Sequence, residues 1–418
     1  MRSPVSAAAV AQLGALALAA VLAVAPATAV QAQTFSEAIK GALDSNCAGL
    51  KGAGATSYDG SLAAICAIPA TSAGQSAGVT VTMLTTQQIT AEERRVKERL
   101  KDARLALATG ETQAASADSF QLGRLGLFLS GEYERFAADT SRFATGHESD
   151  TKGVTFGADY ALSKSLIAGL ALHVSRTTGA FEEHGGSFAT DAWGGMLYAS
   201  LLPLPSLFVD ATIGYAHKEY DQKRRTTYQF VRAGVVNIVD GFAQGETGGD
   251  EFRTGVTAGY DVALQSLTVG PRVGVNYKHN SVEAFKEHGW QSNPQMDTGL
   301  ELNFDRQHED SLTTTLGLAA SVAFSTPIGV VVPQVTAEYV HEFMRDQRVV
   351  YFNFHEDFTR TRLRFQTAPP DRDYGNVGAG VSLVFPGGLA GFANYRALVG
   401  YSGQTSHTAT AGLRFAFQ

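Results

Sequence analysis

Two short motifs contain the residue types of a catalytic site, but neither meets the other requirements of catalysis. Residues 74–78, Gly-Gln-Ser-Ala-Gly, match a nucleophile elbow, which requires a strained strand-to-helix turn on a large α/β sheet. The short Ser- and Gly-rich segment around it cannot build that sheet. His173 and Ser175 lie on one face of a predicted strand, but a base and its nucleophile also need hydrogen-bond contact and an orienting third group. We therefore predict no catalytic residues, no cofactor-binding residues and no metal ligands.

Charged residues of both signs form a larger constellation. Side chains alternate between the two faces of a strand, so charges that alternate with apolar residues share the opposite, inward face. These inward residues are Arg124, Glu132, Glu134, Asp159, Asp210, Arg253, Asp261, Arg272, Glu338, Glu342, Arg396 and Arg414. Partly buried charges need partners, so we expect them to pair with one another and with a charged helix inside a lumen. A selective path for ions or solutes is the alternative interpretation.

The elements that carry these charges are twelve predicted β-strands between residue 124 and the C-terminus. The last strand is expected near 406–417, and every second residue from Ala409 to Phe417 is apolar while the others are small or polar. Alternation of this kind over segments of about ten residues is typical of a transmembrane β-barrel. The first two strands are expected after Arg124 and around residues 154–162. The others are expected near 166–177, 188–202, 207–219, 251–263, 267–281, 312–324, 330–344, 373–385 and 389–401.

The connections between these strands alternate in length. The predicted turns after residues 162, 201, 263, 324 and 385 are tight, whereas the segments near 137–150, 178–187, 220–250, 282–311 and 345–372 are mostly long and polar. Short periplasmic turns and long external loops produce this asymmetry in bacterial barrels. A soluble β-sandwich is the alternative, but tyrosines recur near strand ends, as in membrane interfaces, and the faces opposite the apolar residues carry charges.

Composition limits the class of protein. The chain has 418 residues, 44 glycines, a net charge of -7 and a mean hydropathy of -0.04. Mild acidity argues against nucleic acid as a partner, because such proteins carry a basic face. Mean hydropathy near zero is compatible with barrel strands, since only half of their residues are apolar.

The N-terminus reads as a secretory signal peptide, residues 1–32. Arg2 precedes an apolar run at residues 7–25, and we expect cleavage after Ala32, with Ala29 as the second choice. An uncleaved anchor helix is the alternative.

Residues 33–87 are expected to form a short helical hairpin followed by a linker. Cys47 and Cys66 are the two cysteines of the chain, and an even number in an exported protein favours a disulfide. Closing a loop of about 20 residues would stabilise the fold by roughly 3 kcal/mol. Free structural thiols are the alternative, and no histidine pattern indicates a zinc site.

A second helical segment, with clearer signals at both ends than the hairpin has, is predicted over residues 88–110. It begins at a capping box at Thr90 and ends at Gly110, with one narrow apolar stripe. The other positions are densely charged and include Arg94, Arg95, Glu98 and Arg99. About 18 residues extend about 27 Å, close to the thickness of a bilayer core. Such a polar helix cannot lie in lipid, but it suits a polar pore.

Five short motifs stand out in the strand region: residues 268–271 (Thr-Val-Gly-Pro), 330–334 (Val-Val-Val-Pro-Gln), 338–343 (Glu-Tyr-Val-His-Glu-Phe), 371–375 (Asp-Arg-Asp-Tyr-Gly) and 413–415 (Leu-Arg-Phe). Through these motifs, residues 120–418 resemble the translocator domain of type V autotransporters, proteins that secrete their own N-terminal passenger. The resemblance implies an all-β fold: a twelve-stranded antiparallel barrel with an α-helix in its lumen. It also implies that Leu413, Phe415 and Phe417 form a C-terminal signal for barrel-assembly machinery. Here Gln418 follows the terminal aromatic, the passenger is very short, and the helix has no Asn-Asn pair of the kind used for autocleavage.

These observations predict an outer-membrane barrel that anchors, exports or presents a very short passenger without catalysis. The expected partners are outer-membrane lipid, the assembly machinery and periplasmic chaperones, with no nucleic acid, no cofactor and a monomeric barrel. A surface ligand is not predicted. The alternatives are a channel plugged by the helix and an outer-membrane lipase or protease.

Overall fold

The computed structural model describes residues 125–141, 144–204, 206–232, 235–291, 301–355, 362–386 and 388–416. Several predictions fall outside these residues: the signal peptide, the hairpin with Cys47 and Cys66, the helix at 88–110, Arg124 and Phe417. In the part of the chain that is described, no helix has the length and apolarity needed to cross a membrane.

The described residues form strands connected by turns, with a 3₁₀ turn at Glu182–His184. In chain order the strands are β1 (Leu125–Ala138), β2 (His147–Ser163), β3 (Leu166–Phe181), β4 (Gly186–Leu204), β5 (Leu207–Arg232), β6 (Val235–Tyr260), β7 (Val262–Leu264), β8 (Leu267–Val282), β9 (Phe285–Gln291), β10 (Leu302–Phe304), β11 (Gln307–Val322), β12 (Phe324–Thr326), β13 (Gly329–Glu342), β14 (Val349–Phe354), β15 (Leu363–Gln366), β16 (Asp373–Val384), β17 (Leu389–Val399) and β18 (Gln404–Ala416).

Twelve long strands close into an antiparallel barrel, as the alternation predicted. Their order is β1, β2, β3, β4, β5, β6, β8, β11, β13, β16, β17 and β18, and β18 pairs with β1 from Gly126↔Ala416 to Ala138↔Gln404. The short strands β7 and β12 prolong β6 and β11 at the turn end of the barrel. Closure leaves no unpaired edge, which a membrane requires because lipid cannot hydrogen-bond a backbone.

The outward face is apolar and the inward face is buried and largely polar. On β3, Leu172 and Val174 are 54% and 57% exposed, whereas Thr177 is 2% exposed. On β18, Leu413 and Phe415 face outward and Thr410 faces inward. This arrangement is the reverse of a soluble sandwich, where the apolar face would be the buried one.

Tight turns close one end of the barrel. Gln265, between β7 and β8, has a φ of 59°. Gly329 begins β13 at a φ of +145°, and a Cβ there would come within 2.2 Å of the Val384 carbonyl oxygen. This position therefore requires glycine. The long connections lie at the opposite end, so the predicted asymmetry is present and the strands alternate in direction as expected.

The long connections contain far more β-structure than the sequence indicated. Residues 220–250 were predicted to be a polar loop, but they are the distal halves of β5 and β6, two strands of 26 residues each that pair along their whole length. A transmembrane strand needs about 9–11 residues, so this hairpin extends well beyond the barrel. The predicted loops near 282–311 and 345–372 contain β9, β10, β14 and β15. The prediction failed because these segments contain many polar residues and short strands that pair only through tertiary contacts.

The external strands form a sheet with its own aromatic core, which we call the external sheet: β9, β10, β14 and β15 beside the distal hairpin of β5 and β6. The rings of Phe285 and Phe304 lie 4.7 Å apart, those of Phe304 and Phe352 5.9 Å, and those of Phe352 and Phe365 6.0 Å. Burial of these rings stabilises the pairing of short strands that could not persist alone.

Candidate functional site in the barrel lumen

The lumen contains a cluster of buried ion pairs near its external end. Lys218 Nζ on β5 lies 2.6 Å from Glu251 Oε2 on β6, and Arg253 Nη1 lies 3.1 Å from the other oxygen of the same carboxylate. All three side chains are nearly inaccessible to solvent. Glu251 therefore offsets two cations, and the arrangement fixes side chains of neighbouring strands in one geometry.

Glu342, at the end of β13, accepts three hydrogen bonds. Its carboxylate accepts from Ser311 Oγ at 2.5 Å, from the backbone N–H of Leu312 at 3.0 Å and from the backbone N–H of Met344 at 2.9 Å. This buried carboxylate thus connects β13 to β11 at the point where the chain leaves the barrel. A nearby ion pair, Arg348 to Glu309 at 2.7 Å, links the segment before β14 to β11.

A cavity lies deeper in the lumen, on the side of β5 to β17. Its charged lining consists of Asp210, Arg272, Glu338 and Arg396, and the rest of the lining is mainly glycine, threonine and alanine. Arg396 Nη2 donates to Glu338 Oε2 at 2.8 Å, and Arg272 lies 3.8 Å from Asp261. Small side chains here leave space, while charges of both signs make that space polar.

The wall of β1 to β4 is filled by large inward side chains instead. Phe128, Ala171, Met196 and Tyr198 form a buried cluster. Tyr198 donates to Asp159 Oδ2 at 3.4 Å. Among the described residues, the wall of β1 to β4 thus carries a buried cluster of side chains, and the cavity is lined by residues of β5 to β17.

An aromatic cluster lies on the inward face of β1 to β4, at the end of these strands away from the tight turns. The ring of His147 lies 5.5 Å from Phe136, 6.3 Å from Phe181 and 5.5 Å from Phe188. His147 is 2% exposed and its Nδ1 has no hydrogen-bond partner. Burial among these rings lowers the pKa of His147 to about 4. The side chain is therefore neutral near pH 7.

The inward positions predicted from sequence point into the barrel. Glu132, Glu134, Asp159, Asp210, Arg253 and Glu342 are buried, and Asp261, Arg272, Glu338, Arg396 and Arg414 are partly buried. Of the predicted residues, the structure pairs Arg396 with Glu338 and Arg272 with Asp261. Lys218, Glu251, Glu309 and Arg348 also form ion pairs with little solvent exposure and were missed. Their alternation with apolar residues was weak, because they lie in or beside segments predicted to be loops.

The contact between the helix and the wall remains a prediction. Arg94, Arg95, Glu98 and Arg99 lie outside the described residues, as do Cys47, Cys66 and Phe417.

His173 is held by neighbours other than Ser175. Its Nδ1 lies 3.2 Å from Thr155 Oγ1 and 3.1 Å from the carbonyl oxygen of Val154. Neither partner is a carboxylate that could orient the ring as a base for Ser175. Among the described residues, no three or more His, Cys, Asp or Glu side chains are grouped so that they could hold a metal ion.

A closed twelve-stranded antiparallel barrel with an apolar exterior and a charged interior defines an outer-membrane β-barrel protein. The family model described as the autotransporter beta-domain matches residues 127–396, and the chain belongs to this family. Domains of this family reside in the outer membrane of Gram-negative bacteria.

Solved structures of autotransporter domains are similar to this chain at low sequence identity. The translocator domain of autotransporter NalP from Neisseria meningitidis is 16% identical, with a TM-score of 0.55, covering 78% of this chain and 98% of that domain. The beta domain of the Bordetella autotransporter BrkA is also 16% identical, with a TM-score of 0.49, covering 70% of this chain and all (100%) of that domain. No curated protein matches the sequence.

Proposed function

We propose that this protein is a non-catalytic outer-membrane autotransporter that anchors a very short N-terminal passenger, residues 33–87, and presents it at the cell surface. The observation that carries the proposal is the cavity between Asp210, Arg272, Glu338 and Arg396. A lumen lined by charges of both signs suits a helix whose surface is almost entirely charged, such as residues 88–110. The helix would cross the barrel and connect the passenger to β1.

The proposed partners follow from the same arrangement. Lipid surrounds the apolar exterior, and the barrel functions as a monomer because closure leaves no strand edge for a second copy. Leu413, Phe415 and Phe417 form the signal by which assembly machinery and periplasmic chaperones recognise the unfolded chain. The precursor is cleaved after Ala32, and Cys47 and Cys66 form a disulfide in the passenger.

The test is the accessibility of a peptide tag inserted directly after Gln33. Antibody labelling of intact cells is the expected result, because the N-terminus of a presented passenger lies outside. Labelling only after the outer membrane is permeabilised would show that the segment stays in the periplasm and would contradict presentation. Heat-modifiable migration in gels serves as the control that the tagged barrel is folded in both cases.

A plugged channel is a second candidate, and the same cavity favours it. Deleting residues 88–110 should raise single-channel conductance under either function, so the intact protein discriminates between them. Steady, sizeable conductance of the intact protein would favour a channel, whereas silence would favour an anchor. Substituting His173 and Ser175 together should leave membrane-lipid hydrolysis unchanged. A loss of hydrolysis would revive the enzymatic alternative.

A further inference from the structure

The outward face of the barrel carries a repeated cluster just beyond its apolar band, at the end of the long connections. On β8, Tyr277 Oη donates to Asp310 Oδ1 on β11 at 2.7 Å. His279 Nδ1 donates to the same oxygen at 2.8 Å. Tyrosine and histidine two residues apart point to the same face of a strand, so both reach one carboxylate on the neighbouring strand.

The cluster occurs three times on six successive barrel strands. Between β5 and β6, Tyr215 and His217 donate to Asp250 at 2.6 and 2.9 Å. Between β13 and β16, Tyr339 and His341 donate to Asp373, the histidine at 2.7 Å. The sequence signal is Tyr-x-His, present at residues 215–217, 277–279 and 339–341. The tyrosines could be recognised as interfacial from sequence, but the paired aspartates could not.

The register of the sheet shows that these clusters belong to a larger belt. In each, the histidine lies directly opposite its aspartate: His217↔Asp250, His279↔Asp310 and His341↔Asp373. On the other side of the barrel, arginine lies opposite aspartate in the register at Arg135↔Asp150 and Arg176↔Asp191. Arg176 forms an ion pair with Asp191 at 3.4 Å, whereas the ion pair of Arg135 is with Glu148 at 2.9 Å. We call these five positions, each a basic residue opposite an aspartate, the outward belt.

The basic residues of the belt can donate hydrogen bonds to a partner outside the protein. In each histidine cluster the ring contacts the aspartate through Nδ1, so Nε2, on the opposite side of the ring, is the atom that can meet a partner outside the protein. The hydrogen bonds from Tyr215 and His217 lower the pKa of Asp250, and the aspartate thus stays an anion that holds the ring by Nδ1–H. A protonated ring in this orientation presents Nε2–H outward. Arginine at the equivalent positions presents N–H groups outward at every pH.

The ligand must lie at the membrane surface, because the belt adjoins the apolar band and its histidines and arginines are part-exposed. Outward N–H groups with positive charge suit phosphate oxygens. Neutral histidines would instead offer acceptors to a bridging cation, but the arginines at the same positions cannot do so.

We propose that the outward belt binds the phosphate groups of anionic lipid in the outer leaflet, through its arginines and through its histidines when their rings are protonated. The belt would thereby strengthen its hold on the surrounding lipid when the medium acidifies. This inference concerns the exterior of the barrel and does not depend on the passenger.

The experiment counts phosphatidylglycerol molecules retained by the full-length protein in neutral detergent, at about pH 8 and about pH 5.5, on either side of the ordinary histidine range. Phosphatidylglycerol is chosen because its phosphodiester keeps the same charge at both pH values. Retention by the wild type should rise in acid from two belt sites to five, about 2.5-fold. A neutral diacylglycerol with the same acyl chains should show no rise.

Two triple variants isolate the histidines. Substituting His217, His279 and His341 by asparagine should remove the rise in acid, whereas substituting all three by arginine should produce high retention already at about pH 8. The control is His288→Asn, because His288 is exposed on β9, outside the belt, and retention should then follow the wild type. Heat-modifiable migration checks that each variant is folded.

Three results would overturn the proposal. Wild-type lipid retention could be equal at both pH values. The histidine pairs would then serve only to hold neighbouring strands together. The arginine variant could match the wild type at about pH 8, which would show that charge at these positions does not bind lipid. Retention could be abolished by EDTA, which would show that a divalent cation, and not an N–H donor, joins aspartate to lipid.

Discussion

Arg224 and Glu287 form a bidentate ion pair with no solvent-exposed surface on either side chain. Arg224 Nε and Nη2 donate to Glu287 Oε1 and Oε2 at 3.2 and 2.6 Å, and Oε2 also accepts from the backbone N–H of Leu302 at 2.9 Å. The pair connects the distal part of β5 to β9 and β10 across 63 residues of sequence. The external sheet therefore depends on a contact between segments that have no membrane to orient them.

Glu287→Met should destabilise the external sheet and leave the barrel intact. Removing one member of a buried pair leaves an uncompensated charge and costs about 3–5 kcal/mol. Limited proteolysis of the purified protein should show faster cleavage within residues 282–311, with unchanged heat-modifiable migration.

Arg225→Gln is the matched control. Arg225 is the neighbour of Arg224 and pairs with Asp240 at 2.8 Å, but both side chains are substantially exposed. A surface pair contributes about 0–1 kcal/mol, so the cleavage rate should barely change. Equal sensitivity of the two variants would contradict the assigned role of the buried pair.

His147 should make the external end of β1 to β4 sensitive to acid. Its pKa is about 4 in the fold against about 6.5 for an ordinary histidine, so the neutral form is the one that the fold prefers. The contribution to stability is complete above about pH 6.5, falls as the pH drops towards 4 and is lost below it, by about 3 kcal/mol in all. Amide hydrogen exchange near Phe136 and Phe181 should accelerate across that window.

His147→Phe should abolish this acceleration, since phenylalanine fills the aromatic cluster and cannot be protonated. The exposed His288 supplies the comparison, because His288→Phe should leave the pH profile of exchange unchanged. An acceleration that persists in His147→Phe would assign the acid sensitivity to another group.

Gly169→Ala should weaken the barrel through Tyr198. A Cβ at Gly169 would lie 2.3 Å from the Tyr198 ring, so the ring would have to move away from Asp159. Overpacking of this kind costs about 1–3 kcal/mol. The temperature at which the barrel loses its folded gel mobility should fall.

Gly131→Ala on β1 is the control. Gly131 is also a strand glycine, but nothing lies within 4 Å of the position that a Cβ would take. The transition temperature of this variant should stay near that of the wild type. If both substitutions lowered the transition alike, the loss would reflect glycine in strands generally and not the Tyr198 contact.

Glu251→Gln should strongly destabilise the external end of the lumen. The substitution leaves Lys218 and Arg253 buried without their shared carboxylate, at a cost of about 3–5 kcal/mol. Denaturant unfolding followed by tryptophan fluorescence would measure the loss of stability, because Trp193 lies on β4 next to β5. Asp191→Asn removes the partner of the exposed Arg176 and should change stability by less than about 1 kcal/mol.

The amino-acid sequence alone determined the barrel and the alternating direction of its strands. Leu172 and Val174 alternate with His173 and Ser175, and such alternation assigns each residue to a face before any partner is known. The contrast between tight turns and long connections then orders the strands by direction. These features are local, because each depends on neighbouring residues and on the period of a strand.

The tertiary structure alone decided which inward and outward groups meet. Residues 220–250 read as a loop in the sequence, and it is the pairing of β5 with β6, joined by β9 at residues 241–245, that makes them strands. Arg224 and Glu287, or His279 and Asp310, come together through strand register. Register is set by closure of the whole barrel, and a shift by one residue would send every side chain to the opposite face. Contacts of this kind are collective, so no short stretch of sequence contains them.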